Sequence, residues 1–434
     1  MQSALASHSS LPVEDTSRSR KLQALGILCG FTAGGWLGAA EAPTKLVSVG
    51  VSPLVISLVM VVGVFLARWS LPALILGTSS VRADVRRAPH LIIWAVLAGC
   101  LWAVANTMTI FAIRDIGLSV AFPLWNSNSL LGILWGFIFF NELRQAGWRR
   151  WAGVLGGALV MCVGATLLAV ASSAQGPAAH SLRGVWAALG AGVLWGTMYI
   201  PYRKAYLTGM NPLSFLTFFT IGELGMMIAL AVSYLGVVRL WHELMNARDV
   251  LFWLMLGGFV WVIGDVFQQY AAKYVGISRG IPLSNSNQLW GLLWGILVFG
   301  ELHGRGISTY IEVIGGSLLM MLGVGAIAFS SATGKEQRQW KQAAQRECLR
   351  YGIAPEHVEA RMQGMHGAGE SKPSRSPLDW VLVAGATSVF VICATMTRAP
   401  AMPFHTGPAL LLIGAMLVLL LVCGFALWRT TRFN

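Results

Sequence analysis

The sequence predicts an all-α polytopic membrane protein: a ten-helix core of two inverted five-helix repeats, followed by a C-terminal two-helix hairpin. Three observations predict it. The 434 residues are 56% hydrophobic and 11% charged, too apolar for soluble domains of that length. Apolar runs of about 20 residues, enough to cross about 30 Å of hydrocarbon as helix, recur along the chain. One set of residues also returns at a constant offset of 159 positions.

The runs of the first set fall near 22 to 40, 49 to 68, 91 to 112, 118 to 140 and 150 to 171. A second set lies near 184 to 200, 213 to 235, 251 to 271, 278 to 300 and 308 to 330. Two more, near 380 to 397 and 407 to 428, follow a polar gap and bring the expected number of spans to twelve. All are continuous stretches, without the alternation of short strands that marks a transmembrane barrel, so helices are expected.

The net charge of +13 raises the question of nucleic acid, but the Lys and Arg sit in short loops between apolar runs. Arg18, Arg20 and Lys21 precede the first span, Arg82, Arg86 and Arg87 follow the second, Arg144, Arg149 and Arg150 follow the fourth, and Arg203 and Lys204 follow the sixth. The positive-inside rule then places both termini in the cytoplasm of an inner-membrane protein, with lipid and not nucleic acid as its surroundings. The polar residues 1 to 20 carry no cleavable signal pattern. Five of the six cysteines fall in predicted spans and none pairs as C-x-x-C, so neither a disulfide framework nor a metal site is expected. A Gly-rich phosphate loop and H-E-x-x-H are both missing; no enzyme activity, ATP coupling or cofactor is expected.

The repeat is the most specific signal. Ser119 to Gly136 reads SVAFPLWNSNSLLGILWG, and Ser278 to Gly295 reads SRGIPLSNSNQLWGLLWG. The same offset pairs Trp36 with Trp195, Pro53 with Pro212, Gly63 with Gly222, Gly99 with Gly258, Trp102 with Trp261, Glu142 with Glu301 and Gly164 with Gly323. Shared Gly, Pro, Trp, Asn and Glu at one spacing across five spans mark a duplication. Each copy holds an odd number of spans, so the second enters the membrane from the opposite side. The expected organisation is a cytoplasmic tail (1–20), a first repeat (21–171), a second repeat (183–331), a cytoplasmic linker (332–378) and the hairpin (379–434).

Inverted repeats are a transporter architecture, with the solute site near the midplane where the halves meet. Ten core spans, with Phe299-Gly-Glu301-Leu followed by Ile314-Gly-Gly316 and Gly323, resemble the drug/metabolite transporter superfamily. Within it, the stretch from Gly276 through Pro282, Asn285, Asn287 and Gly291 to Glu301 is similar to the glucose/ribose porter and rhamnose/proton symporter branch. The resemblance covers residues 22 to 330 and implies a secondary carrier for a small polar solute such as a monosaccharide, with protons as a co-substrate. An exporter of drugs, amino acids or other metabolites on the same scaffold is the neighbouring reading. A membrane assembly protein that moves no solute is the reading of another class.

The candidate site follows from depth. Asn126 and Asn128, and their equivalents Asn285 and Asn287, lie 8 to 10 residues into spans four and nine, which at about 1.5 Å per residue is close to the midplane from opposite sides. Pro123 and Pro282 precede them by about a turn and free a backbone carbonyl. Amides offer donors and an acceptor to sugar hydroxyls, and tryptophan faces suit apolar C–H surfaces, so Trp125, Trp261 and Gln288 join the expected substrate site. Bonding between helices is the other use of such amides. Glu223 and Asp265 lie inside spans seven and eight, and an intramembrane carboxylate is costly enough to imply function. Asp265 shares a helical face with Trp261, Gln268 and Gln269, and no basic residue stands one turn away on that face. Asp265 and then Glu223 are the expected proton-coupling residues, and Gln268 and Gln269 line the same cavity. The final hairpin is a place for lipid or a protein partner.

Overall fold

The computed structural model describes residues 14–47, 50–116, 124–125, 127–144, 146–172, 182–300, 302–304, 306–330, 334–365, 375–400 and 403–434. Among these residues all regular structure is helical, and nine helices are long and apolar enough to cross a membrane. The first repeat holds α1 (Glu14–Ala39), α2 (Glu41–Lys45), α3 (Pro53–Ile75), α4 (Thr78–Arg87), α5 (His90–Ile116), α6 (Asn128–Phe140) and α7 (Trp148–Ser172). The second holds α8 (Leu182–Leu207), α9 (Pro212–Leu235), α10 (Val237–Asn246), α11 (Leu251–Val275), α12 (Ile277–Ser284), α13 (Asn287–Leu293) and α14 (Ile307–Phe329). A wider π turn over Trp294–Val298 continues α13. Four more helices follow: α15 (Gly334–Tyr351), α16 (Pro355–Met362), α17 (Pro377–Met396) and α18 (Thr406–Thr431).

Equivalent residues set equivalent boundaries. Pro53 and Pro212 open α3 and α9, where a missing N–H costs nothing because no intrahelical partner exists. Asn211 adds a cap, its side chain accepting from the Leu213 amide at 2.9 Å. Gly77 and Gly236, 159 apart, take φ of 80° and 75°, a left-handed conformation that a Cβ disfavours. Each turns the chain out of a long helix into a ten-residue surface helix, α4 or α10.

The packing has the reciprocity of a two-fold axis in the membrane plane. A side chain on Gly99 would collide with the Phe219 carbonyl and the Glu223 amide; one on Gly258 would collide with the Met60 carbonyl and the Val64 amide, the matching atoms of the other copy. Gly63 lies against Met255 and Gly222 against Val96, and Gly157 and Gly323 meet as Gly164 and Gly316 do. Absent side chains let the backbones approach, which replaces the hydrophobic drive that lipid removes.

Spans four and nine are not the continuous helices expected from their apolar runs. Span nine breaks at Asn285–Ser286 between α12 and α13, and α6 begins at Asn128 behind Ser127, the equivalent of Ser286. Pro282 within α12 lacks an N–H and weakens the helix just before the break. Each break rests on the first helix of the other repeat: Gly34 and Gly38 of α1 against Ser286 and Asn287, Gly192 and Gly196 of α8 against Ser127 and Asn128. Pro123 and Asn126 lie outside the described residues.

The helices of the C-terminal hairpin separate around the core. α17 packs on α3 and α11, and α18 packs on α1 and the π turn. The connection between them is tied to the second repeat just before α11 and at the end of the π turn, where Arg398 pairs with Asp249 at 2.8 Å and the His405 amide donates to the Val298 carbonyl at 2.8 Å.

Candidate substrate and coupling site

Two thirds of the way along α3 stands Arg68, 1% exposed. The apolar run that predicts this helix stops at residue 68, where an arginine reads as an end charge; the helix continues to Ile75, and the guanidinium is carried inside. Its Nη1 donates to Glu223 Oε2 at 2.8 Å and its Nη2 to Asp265 Oδ2 at 2.7 Å. The guanidinium lies over the Phe219 ring at 4.4 Å and over Trp261 at 5.1 Å. Asp265 Oδ1 accepts from Gln269 Nε2 at 2.8 Å, and Gln269 Oε1 accepts from the Tyr206 hydroxyl at 2.6 Å. One arginine from the first repeat thus binds two carboxylates on two helices of the second.

This corrects the expectation that Asp265 has no cationic neighbour. The residues one turn away on α11 are indeed uncharged, but a helix face also sees the helices packed on it, and α3 supplies the cation. A buried ion pair needs close geometry and satisfied partners to offset its desolvation. Here one cation meets two anions, and the trio carries one excess negative charge when all are ionised. The cluster is also confined to one copy, since the equivalents of Arg68, Glu223 and Asp265 are Met227, Val64 and Asn106.

A second polar group sits at the helix breaks. Asn285 Nδ2 donates to Asn128 Oδ1 at 3.3 Å and to Ser129 Oγ at 2.5 Å. The amides of the two repeats do meet, crosswise. Asn287 Oδ1 and Gln288 Oε1 have no hydrogen-bond partner among the described residues, and both residues are half-buried. Gln268 leaves the carboxylate cluster and donates to Ser284 Oγ at 2.6 Å, next to Asn285. The polar trail therefore runs from Arg68 through α11 to the break in span nine and across to α6.

Of the aromatic candidates, Trp261 lies in the centre, edge to face with its equivalent Trp102 at 5.3 Å. Trp125 is 8% exposed and packs on Trp195 and the alanines of α8, away from the carboxylate cluster. Glu142 is used structurally: it accepts from the Ile277 and Ser278 amides at the start of α12 and pairs with Arg203 at 2.9 Å, a favourable place for negative charge at a helix N-terminus. Arg68, Tyr206, Ser129 and Ser284 are the participants that sequence reasoning missed. Only Arg68 carried a signal, a lone charge at the edge of an apolar run that goes on apolar beyond it.

Residues 186–354 match the family described as Sugar transport protein. The chain resembles a sugar transporter family. The match runs through most of the second repeat and on into α15. A protein of Listeria innocua named for sugar uptake is 25% identical over 232 residues, 52% of this chain and 75% of that one. The glucose uptake protein GlcU of Staphylococcus xylosus is 25% identical over 214 residues, 49% of this chain and 69% of its own. A protein of Lactobacillus johnsonii named for sugar uptake is 33% identical over 90 residues, 20% of this chain and 31% of that protein. With its apolar helices, the chain is a multi-pass membrane protein whose second repeat is similar to sugar uptake proteins.

Proposed function

We propose that the protein carries a monosaccharide or similar polyol across the cytoplasmic membrane by alternating access, driven by protons. The observation that carries this reading is the meeting of Asn128 and Asn285 at matched helix breaks, one from each inverted repeat. Irregular backbone at membrane depth is tolerated where it lines a cavity or is buried in protein, and amides with spare acceptors, such as Asn287 and Gln288, suit hydroxyl ligands. Half-buried Trp102 and Trp261 offer apolar faces next to the Arg68 cluster.

Coupling rests on the trio. Two carboxylates share Arg68, so one proton on either brings the cluster to neutrality and frees one Arg68 bond. Protonation then loosens α3 from α9 or α11, helices of opposite repeats, and biases their rearrangement. The pair Asp265 and Glu223 is the titrating unit, where the sequence alone ranks Asp265 ahead of Glu223.

Purified protein in liposomes, offered labelled glucose under an imposed proton gradient, tests the proposal. Accumulation that collapses with the gradient is expected. In Asp265→Asn, accumulation should vanish while glucose exchange persists; full gradient-dependent accumulation by that variant rules out the coupling role.

A further inference from the structure

Because the core is two-fold symmetric, each membrane end serves as a control for the other. At the end formed by the start of α9 and the end of α11, Phe215, Phe219, Gln269 and Tyr270 are 0% exposed. Their equivalents at the opposite end, Ile56, Met60, Ile110 and Phe111, are all half-buried. Pro212 is buried where Pro53 is exposed. Part of the difference lies in the repeats, since Tyr202 and Tyr206 of α8 cover Phe215, Phe219 and Gln269 where the first repeat has Pro43 and Val47; segments outside the repeats add the rest.

Two layers cover the buried end. In the first, α15 lays Trp340, 4% exposed, under the Arg203 guanidinium at 4.5 Å, and Glu347 pairs with Lys204 at 3.5 Å. In the second, residues 431–434 enter between the repeats. The Phe433 carbonyl accepts from Asn211 Nδ2 at 2.6 Å and from the Tyr270 hydroxyl at 2.7 Å, and the Asn434 carbonyl accepts from the Tyr274 hydroxyl at 2.6 Å. Arg361 of α16 clamps the arrangement, donating to Asn434 Oδ1 at 2.7 Å and to Asp84 Oδ1 at 3.4 Å. Asp84 in α4 belongs to the first repeat, and its other oxygen accepts from the Asn211 amide at 3.2 Å and Ser214 Oγ at 2.6 Å in the second.

We propose that α15, α16 and residues 431–434 form a lock that holds this end of the transport path shut, so that opening toward the cytoplasm requires their release. Alternating access moves one repeat against the other, and the Asp84, Arg361 and Asn434 bonds straddle the seam that must part. The symmetric counterpart of the seam has no such cover among the described residues, so the lock favours the outward-facing state. The proposal rests on alternating access but not on the identity of the solute.

The native Cys348, 2% exposed in α15, reports on the cover, and Met198→Cys reports on the path beneath it. Met198 is 4% exposed and lies nine residues before the end of α8, about 13 Å deeper. Both are labelled with a membrane-impermeant maleimide in inside-out vesicles and read by mass spectrometry. Arg361→Ala removes two charge-assisted bonds and should raise the labelling rate at both positions about tenfold. Asn434→Ala, which leaves the Arg361–Asp84 pair in place, should raise both by less. If Cys348 becomes reactive while Met198→Cys stays protected, the helices are a peripheral cover and the lock is excluded. Unchanged labelling in Asn434→Ala, or in a monodisperse Arg361→Ala, excludes it as well. Because no solute is present, an inactive sugar assay leaves this result standing.

Discussion

Trp102 and Trp261 occupy equivalent positions of the two repeats and touch each other, ring centroids 5.3 Å apart at 62°. Equivalent residues meet only where the symmetry axis passes, so this pair marks the centre of the molecule. The axis relates the backbones well and the charges not at all: Trp261 is next to Arg68, whereas Trp102 has Met227 in the matching place.

That contrast sets the first prediction. If both rings face the solute, Trp102→Ala and Trp261→Ala should each weaken glucose binding by about 1 kcal/mol, roughly fivefold, while Phe at either position retains most of it. Calorimetric titration measures this. Trp261→Ala should in addition flatten the pH dependence of uptake, because it uncovers one face of the Arg68 guanidinium; an identical pH profile in the two variants would separate Trp261 from the coupling cluster.

Much of the architecture was legible because membrane helices leave strong traces. Continuous apolar runs gave the long helices, and Gly, Pro and Trp at one offset gave the duplication, since those residues fix turns and close approaches that both copies must repeat. That the amides of spans four and nine converge follows from depth, but the crosswise pairing of Asn128 with Asn285 does not. The carboxylates were visible as isolated charges in apolar helices. Arg68 left only a weak trace, a charge at the edge of an apolar run, and its pairing with them left none, because a contact across helices leaves no periodicity in either sequence. The breaks before α6 and α13 were hidden for another reason: apolar composition says that a segment is buried in the membrane, not that its hydrogen-bond ladder is continuous. The cover by α15 and α16 was masked by their polar, helical sequence, which reads as a linker until its few apolar residues, such as Trp340 and Cys348, find a surface.

The trio can be tested by replacing it with its own counterpart. Arg68→Ala alone strands two carboxylates and should destabilise the protein by about 3–5 kcal/mol, whereas exchanging a whole buried ionic cluster for groups of similar size is often nearly neutral. The triple variant Arg68→Met, Glu223→Val, Asp265→Asn installs the residues found at Met227, Val64 and Asn106. It should melt within a few degrees of the parent while losing gradient-driven accumulation. Melting of the triple variant as low as Arg68→Ala would show that the cluster serves stability first.

The amides separate by the partners they hold. Asn285 bonds to Asn128 and Ser129, but Asn287 Oδ1 has no partner among the described residues. Asn285→Ala should therefore cost about 1 kcal/mol of thermal stability together with solute affinity. Asn287→Ala should reduce affinity and leave the melting temperature unchanged. Loss of stability in both variants with normal glucose binding would make the amides interhelical bonds and nothing more.

The symmetry also provides a matched pair of strained variants that distinguishes coupling from packing. A methyl group on Gly99 meets the Phe219 carbonyl and the Glu223 amide, and a methyl group on Gly258 meets the Met60 carbonyl and the Val64 amide. Overpacking of this kind costs about 1–3 kcal/mol at either site, so Gly99→Ala and Gly258→Ala should lower the melting temperature by similar amounts. Their consequences for transport should differ. Gly99→Ala pushes on the turn of α9 that aims Glu223 at Arg68, which stands 2.8 Å away, and a charge pair weakens steeply when its geometry slips. Gly258→Ala pushes on the equivalent turn of α3, which aims Val64 at nothing charged, although Arg68 follows one turn later on the same helix. Gradient-driven uptake should fall severalfold further in Gly99→Ala than in Gly258→Ala, with glucose exchange affected equally in both. Equal loss of accumulation in the two variants would mean that helix approach alone limits transport and that the placement of Glu223 on Arg68 is incidental to it.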